Sequence, residues 1–343
     1  MPQLVGQRVI LSYQGPTPPD ALFERIRRGK AAGVIFFGHN INQNPTLIAN
    51  VIAQLQEASQ HAVLPRPLRQ PLLLMTDQEG GIVRRLPGPP ELTEEQIGQG
   101  PRSRLLARLA GRGAGKTLAS VGMNVNLAPV LGVLSGQDNF LEKFGRLYST
   151  HARKVSRLGG AFITAQQRQG VAATAKHFPG LGAAGPQDTD SGPVTLDLSL
   201  RTLRTVDEFP YHEAIAVGTK LVMISNATYP ALDPARPASL SRAVMRDELR
   251  QRLGFSGVTI TDALEAGGLE DFGSVPQRGV LAARAGADLL LFSGQNVEEG
   301  IQGYEQLRQT FQSGVMNEAL FERSVRRVLR LRKQLAAGGS LYP

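Results

Sequence analysis

Val171-Ala-Ala-Thr-Ala-Lys176-His177-Phe-Pro-Gly-Leu-Gly182 is the stretch on which the fold turns. It begins as a short apolar, strand-like run and ends in two titratable residues, with a Pro/Gly turn directly behind them. From Lys176 to about Pro193 the chain is rich in turn formers and polar residues, which reads as a loop. Charged groups at the C-terminal end of a buried strand, facing into a loop, mark the catalytic rim of a parallel α/β protein.

Working outward, seven more short β-branched or Leu-rich runs carry the same strand signature. The eight together are 8–12, 33–37, 72–76, 124–128, 172–176, 221–225, 258–261 and 288–292. Helix-period segments alternate with them at 46–58, 102–121, 150–169, 198–216, 241–253, 277–285 and 297–313. Eight strands alternating with helices predict a single (β/α)8 TIM-like barrel. A last helical segment, 317–337, is expected to pack outside it as an extra C-terminal helix. No repeat, low-complexity tract or linker interrupts residues 1–343, so one domain is expected. No Gly-x-Gly-x-x-Gly follows the first strand, which removes the phosphate cradle of a dinucleotide fold. Gly111-Arg-Gly-Ala-Gly115-Lys116-Thr117 ends like a P-loop, but Ala110 stands where its leading glycine belongs. The run also lies inside a helical segment instead of after a strand, and it is read as helix surface.

Composition narrows the function further. No apolar run approaches the roughly 18 residues that span a bilayer, and the first 15 residues lack the pattern of a secretory signal. With no cysteine, disulfides and thiolate metal sites are excluded. A soluble, cytoplasmic monomer with no metal and no cofactor is the expectation. The formal charge of +9 invites a nucleic-acid reading. Only seven of the 38 basic residues are lysine, however, and the arginines are scattered along helical segments. A compositional bias explains that better than a nucleic-acid interface, and no binding motif asks for one.

Other strand ends carry the remaining chemistry. The third strand runs into Asp77-Gln-Glu-Gly-Gly-Ile-Val-Arg-Arg-Leu86, and the seventh lies within Gly254-Phe-Ser-Gly-Val-Thr-Ile-Thr-Asp262-Ala-Leu. The sixth leads into Tyr229-Pro-Ala-Leu-Asp233 and Pro237-Ala-Ser-Leu-Ser241, and Phe144-Gly-Arg146 precedes the fourth helix. With Lys176-His-Phe-Pro-Gly-Leu-Gly182, these strings resemble glycoside hydrolase family 3, in its bacterial β-N-acetylglucosaminidase branch. The resemblance runs from the first strand to the last.

It implies a retaining exo-β-N-acetylglucosaminidase acting on cell-wall or chitooligosaccharide fragments, with a small carbohydrate as its partner. Asp262 would be the nucleophile that forms a glycosyl ester, while Asp77, Arg146, Lys176 and His177 would hold the terminal sugar. A carboxylate such as Asp77 suits that task because it accepts two charge-assisted hydrogen bonds from adjacent hydroxyls. Arg146 matches more loosely, because Leu147 and His151 replace the usual Ser and Asp. Glu265, one turn past Asp262, reads as a surface helix residue.

One departure bears on the chemistry. In this branch the loop after the fifth strand ends Asp-Ser-His, and that histidine is the general acid/base. Here the loop reads Gln187-Asp188-Thr-Asp190-Ser191-Gly192-Pro193, with glycine in the histidine's place. Leu181 is a second departure, at a position where a polar residue is common. Asp190 and Asp188 become the candidates for the proton-transfer step, on a Gly- and Pro-rich loop suited to closing over substrate. A sugar-binding or regulatory protein with the same pocket and little turnover is the alternative from a different class.

Overall fold

The computed structural model describes residues 2–41 and 44–341. Eight parallel strands form one sheet: β1 Val9–Leu11, β2 Gly33–Ile35, β3 Leu73–Thr76, β4 Val125–Asn126, β5 Ala172–Phe178, β6 Leu221–Ile224, β7 Val258–Thr261 and β8 Leu290–Leu291. They neighbour one another in chain order, with β8 beside β1, and an Ile260–Leu289 bridge joins β7 to β8. This is the predicted (β/α)8 barrel.

β4 and β8 are shorter than expected, and before each of them a side chain adds to the backbone bonding. Asn124 Oδ1 accepts from the Leu74 amide at 2.9 Å and its Nδ2 donates to the Leu72 carbonyl at 2.8 Å. Asp288 Oδ2 likewise accepts from the Thr259 amide at 2.9 Å. The expected 198–216 helix is broken into Leu200–Thr202, a wider turn over Leu203–Asp207, and Phe209–Ala216. Pro210, in the first turn of the last piece, cannot donate a backbone hydrogen bond and so starts a new helix.

The core has two layers. Alternate strand residues, among them Ile10, Ile35, Met75, Leu127, Met223, Ile260 and Leu291, fill the barrel interior. The opposite strand faces pack against the surrounding helices. Ile35, Leu127, Met223 and Leu291 form the top of the interior layer and the floor of the cavity described below.

Two expectations are corrected. The last helix, Glu318–Ala336, does not simply lie outside: Val328 and Leu331 join the barrel-interior cluster. Its buried Arg332 donates to the Pro71 carbonyl at 2.8 Å, and Arg327 pairs with Asp288 at 2.8 Å, so the helix closes the N-terminal end of the barrel. The Gly111–Thr117 run lies inside the helix Ser103–Ser120, as expected, but Gly111 and Gly115 are buried. A Cβ on Gly111 would sit 2.2 Å from the Phe162 carbonyl oxygen, so the glycine permits close helix packing.

Candidate active site

At the C-terminal ends of the strands lies a cavity of about 530 Å³. All seven residues singled out in the sequence line it: Asp77, Arg146, Lys176, His177, Asp188, Asp190 and Asp262.

One wall is an ion network. Lys176 Nζ lies 2.6 Å from Asp77 Oδ1 and 2.7 Å from Glu79 Oε1. Arg146 makes a two-pronged contact with Glu79, Nε to Oε2 and a terminal nitrogen to Oε1, both at 2.8 Å. Burial alone would raise the Glu79 carboxyl, but Arg146 and Lys176 hold it down to about 2. Burial opposes the Lys176 charge too, and Asp77 and Glu79 outweigh it, leaving the ammonium above its ordinary range. Glu79 is therefore the hub of the network, and it was not singled out in the sequence. The available signal was a second carboxylate two residues beyond Asp77 in the same string.

Consecutive strand residues ordinarily face opposite sides, yet Lys176 and His177 both line the cavity. The register of β5 against β6 slips between Ala175 and Phe178, which re-aims the strand end. Burial, then the charges of Lys176 and Arg146, hold the His177 imidazole well below the usual histidine range, so it is neutral at physiological pH. Its Nε2 lies 3.9 Å from Asp262 Oδ2, and its Nδ1 has no partner among the described residues.

Asp262 follows β7. Its Oδ1 accepts from the Ala263 amide at 2.9 Å. Burial, and then the negative charge of Asp190, raise its carboxyl to about 7. Asp190 itself is raised by its partly desolvated position in the cleft and by Asp188. A negative charge on Asp190 therefore opposes the ionisation of Asp262. No helix starts at Asp262: the chain makes a turn, then a short tight helix, Gly267–Phe272. Asn226 Nδ2 donates to the Ala263 carbonyl at 2.7 Å, and the guanidinium of buried Arg278 donates to Leu264 O at 3.0 Å, which fixes this turn.

That turn corrects the reading of Glu265. It is not a surface helix residue; it lines the cavity, and its Oε2 accepts from Ser293 Oγ at 3.1 Å. Burial is the main reason its carboxyl is raised to about 7, with nearby Glu299 contributing. The Asp188–Gly192 loop also differs from expectation. It already rests on the turn after Asp262, with Gly267 N donating to Asp190 O and Gly268 N to Thr189 O, both at 2.9 Å.

Among the described residues, no group of three or more His, Cys, Asp or Glu side chains is placed to hold a metal ion. No helix among them is long and apolar enough to cross a membrane.

A parallel barrel with carboxyls and a cation-carboxylate wall at its C-terminal mouth has the layout of a barrel enzyme's active site. The chain matches the glycosyl hydrolase family 3 N-terminal domain over residues 3–331, and it belongs to that family. It is 44% identical to an uncharacterised secreted glycosyl hydrolase of Arthroderma benhamiae, over 97% of this chain and 93% of that one. It is 30% identical to beta-hexosaminidase A of Pseudoalteromonas piscicida over 97% of its own length. A family 3 β-N-acetylglucosaminidase from Paenibacillus sp. str. FPU-7 superposes with a TM-score of 0.90 at 32% identity, covering 100% of this chain. The chain spans 61% of the Pseudoalteromonas protein and 64% of the Paenibacillus one.

Proposed function

We propose that this chain is a retaining exo-β-N-acetylhexosaminidase that removes terminal β-linked N-acetylglucosamine from cell-wall or chitooligosaccharide fragments. The observation that carries this reading is that Asp262 and Asp190 line one cleft together with Asp77, Lys176 and Arg146, and that the Asp190 charge acts on Asp262. The names of the similar proteins support the choice of sugar.

In the proposed mechanism, Asp77, Arg146, Lys176 and His177 hold the terminal sugar through its hydroxyls. Neutral His177 offers its unpartnered Nδ1 side for reorientation toward substrate, and is a binding residue. The Asp262 carboxylate attacks the anomeric carbon while the glycosidic C–O bond breaks, and protonated Asp190 gives its proton to the leaving oxygen. Water then attacks the anomeric carbon and gives its proton to the Asp190 carboxylate, and the ester bond to Asp262 breaks. Starting from ionised Asp262 and protonated Asp190, this cycle returns both groups to their initial states.

The test follows from what a proton donor is for. A disaccharide has a poor leaving group and needs the proton, whereas a nitrophenyl glycoside hardly does. Asp190→Ala is expected to lose about 10²- to 10⁴-fold in kcat/KM on a chitobiose-type substrate, and far less on the nitrophenyl N-acetylglucosaminide. Equal losses on both substrates would remove Asp190 from the role, and the same result in Asp188→Ala would place the acid outside this loop.

A pH profile supplies a second, independent check. Asp262 must be ionised to attack, so kcat/KM on the activated substrate is expected to rise with pH through about 7. Asp190→Asn removes the neighbouring negative charge and makes that ionisation easier, so the rising limb should move to lower pH. Burial is the larger cause, so the limb should stay above the ordinary aspartate range. A limb that does not move would break the proposed coupling.

Gly192, in the place of the branch's histidine, favours a second reading: a sugar-binding or regulatory protein with little turnover. Calorimetric binding of N-acetylglucosamine without turnover of either substrate would support it over the first.

A further inference from the structure

We propose that Gly267 and Gly268 are positioning residues that carry the Asp190 loop to the nucleophile turn; this rests on the reading of Asp190 as the acid. The Asp188–Gly192 turn is closed on itself: Asp188 O accepts from the Ser191 and Gly192 amides at 3.0 and 3.2 Å, and Asp188 Oδ1 from the Asp190 amide at 3.0 Å. That leaves the Thr189 and Asp190 carbonyls facing outward. The Gly268 and Gly267 amides take them, one each.

The two glycines are not demanded by their own backbone. Neither has a positive φ, so their turn could be built from other residues. What excludes a side chain is the loop. A Cβ on Gly267 would lie 2.7 Å from the Ser191 carbonyl carbon and 2.9 Å from Gly192 N. On Gly268 it would lie 3.0 Å from Thr189 O and 3.3 Å from Asn226 O. The turn is also the firmer partner. Asn226 and Arg278 hold it through the Ala263 and Leu264 carbonyls, and Asn226 is itself fixed by Ser239 Oγ at 2.6 Å. An added methyl therefore displaces the loop, and with it Asp190, while Asp262 keeps its place.

A displacement near 1 Å at a reacting group costs on the order of 10²-fold in rate. Gly267→Ala is accordingly expected to lose about that much kcat/KM on a chitobiose-type disaccharide, and less than tenfold on the nitrophenyl N-acetylglucosaminide. The Gly267→Ala/Asp190→Ala double variant should be no worse on the disaccharide than Asp190→Ala alone, because both changes remove the same proton transfer. Hydrogen exchange reports the docking without reference to activity: peptides covering 186–193 and 263–269 should exchange faster in Gly267→Ala. Unchanged exchange overturns the docking itself. Faster exchange with full disaccharide turnover, while Asp190→Ala is impaired, overturns the positioning role. If Asp190→Ala is itself silent on the disaccharide, the acid reading fails and the catalytic purpose of the docking fails with it, whatever the exchange data show. Gly268→Ala, with its longer contacts, should give the same pattern more weakly.

Discussion

Asp262→Ala is expected to lower turnover of the nitrophenyl N-acetylglucosaminide by on the order of 10⁴-fold or more, with N-acetylglucosamine binding largely retained. The size follows from removing the group proposed to make the covalent bond, a loss that no remaining contact replaces. Binding should survive because the Asp77–Lys176–Glu79–Arg146 wall does not include Asp262. A fluorinated glycosyl reagent should label wild-type protein on a single peptide containing Asp262. Azide, filling the space left in Asp262→Ala, should give a glycosyl azide of inverted configuration. Labelling of another peptide, or a variant with full activity, removes Asp262 from the role.

Glu79→Ala should destabilise the fold by about 3–5 kcal/mol, the usual cost of leaving buried charges without their partner. Glu79 is 1% exposed and Lys176 2%, so water cannot take the carboxylate's place. The loss should carry a pH signature. Glu79 is held at about 2 in the fold, against an ordinary value of 4.5, so its contribution is fully present above the unfolded value. It is lost as pH falls from there toward 2. The stability difference between wild type and variant, measured by urea unfolding, should be constant above about pH 5 and shrink below it. A difference that is small throughout, or independent of pH, would show that Lys176 and Arg146 do not depend on Glu79. Sugar binding should weaken as well, since both cations lose the group that aims them.

Much of this was legible because it is local. The barrel could be read from runs of apolar residues broken at regular intervals, since each strand must bury its side chains wherever it pairs. The strings around Asp77, Lys176–His177 and Asp262 were legible because each combines a strand end and its turn chemistry within about a dozen residues. The misreadings share one cause. Glu265 reads as a helix residue from its spacing to Asp262, but the chain turns there, and Gly267 and Gly268 dock against a loop from the fifth strand. The last helix was placed outside because its apolar stripe does not say which surface receives it.

The sequence by itself therefore determined the architecture, the family and the seven residues gathered at the barrel mouth. Only the tertiary structure decided their electrical states. Arg146 reaches Glu79 across 67 residues of chain, and Lys176 reaches Asp77 across 99. Asp262 is raised by burial under distant segments and by a charge on another loop. Protonation depends on desolvation and on charges within a few ångströms, and both are set by segments that meet only when the barrel closes.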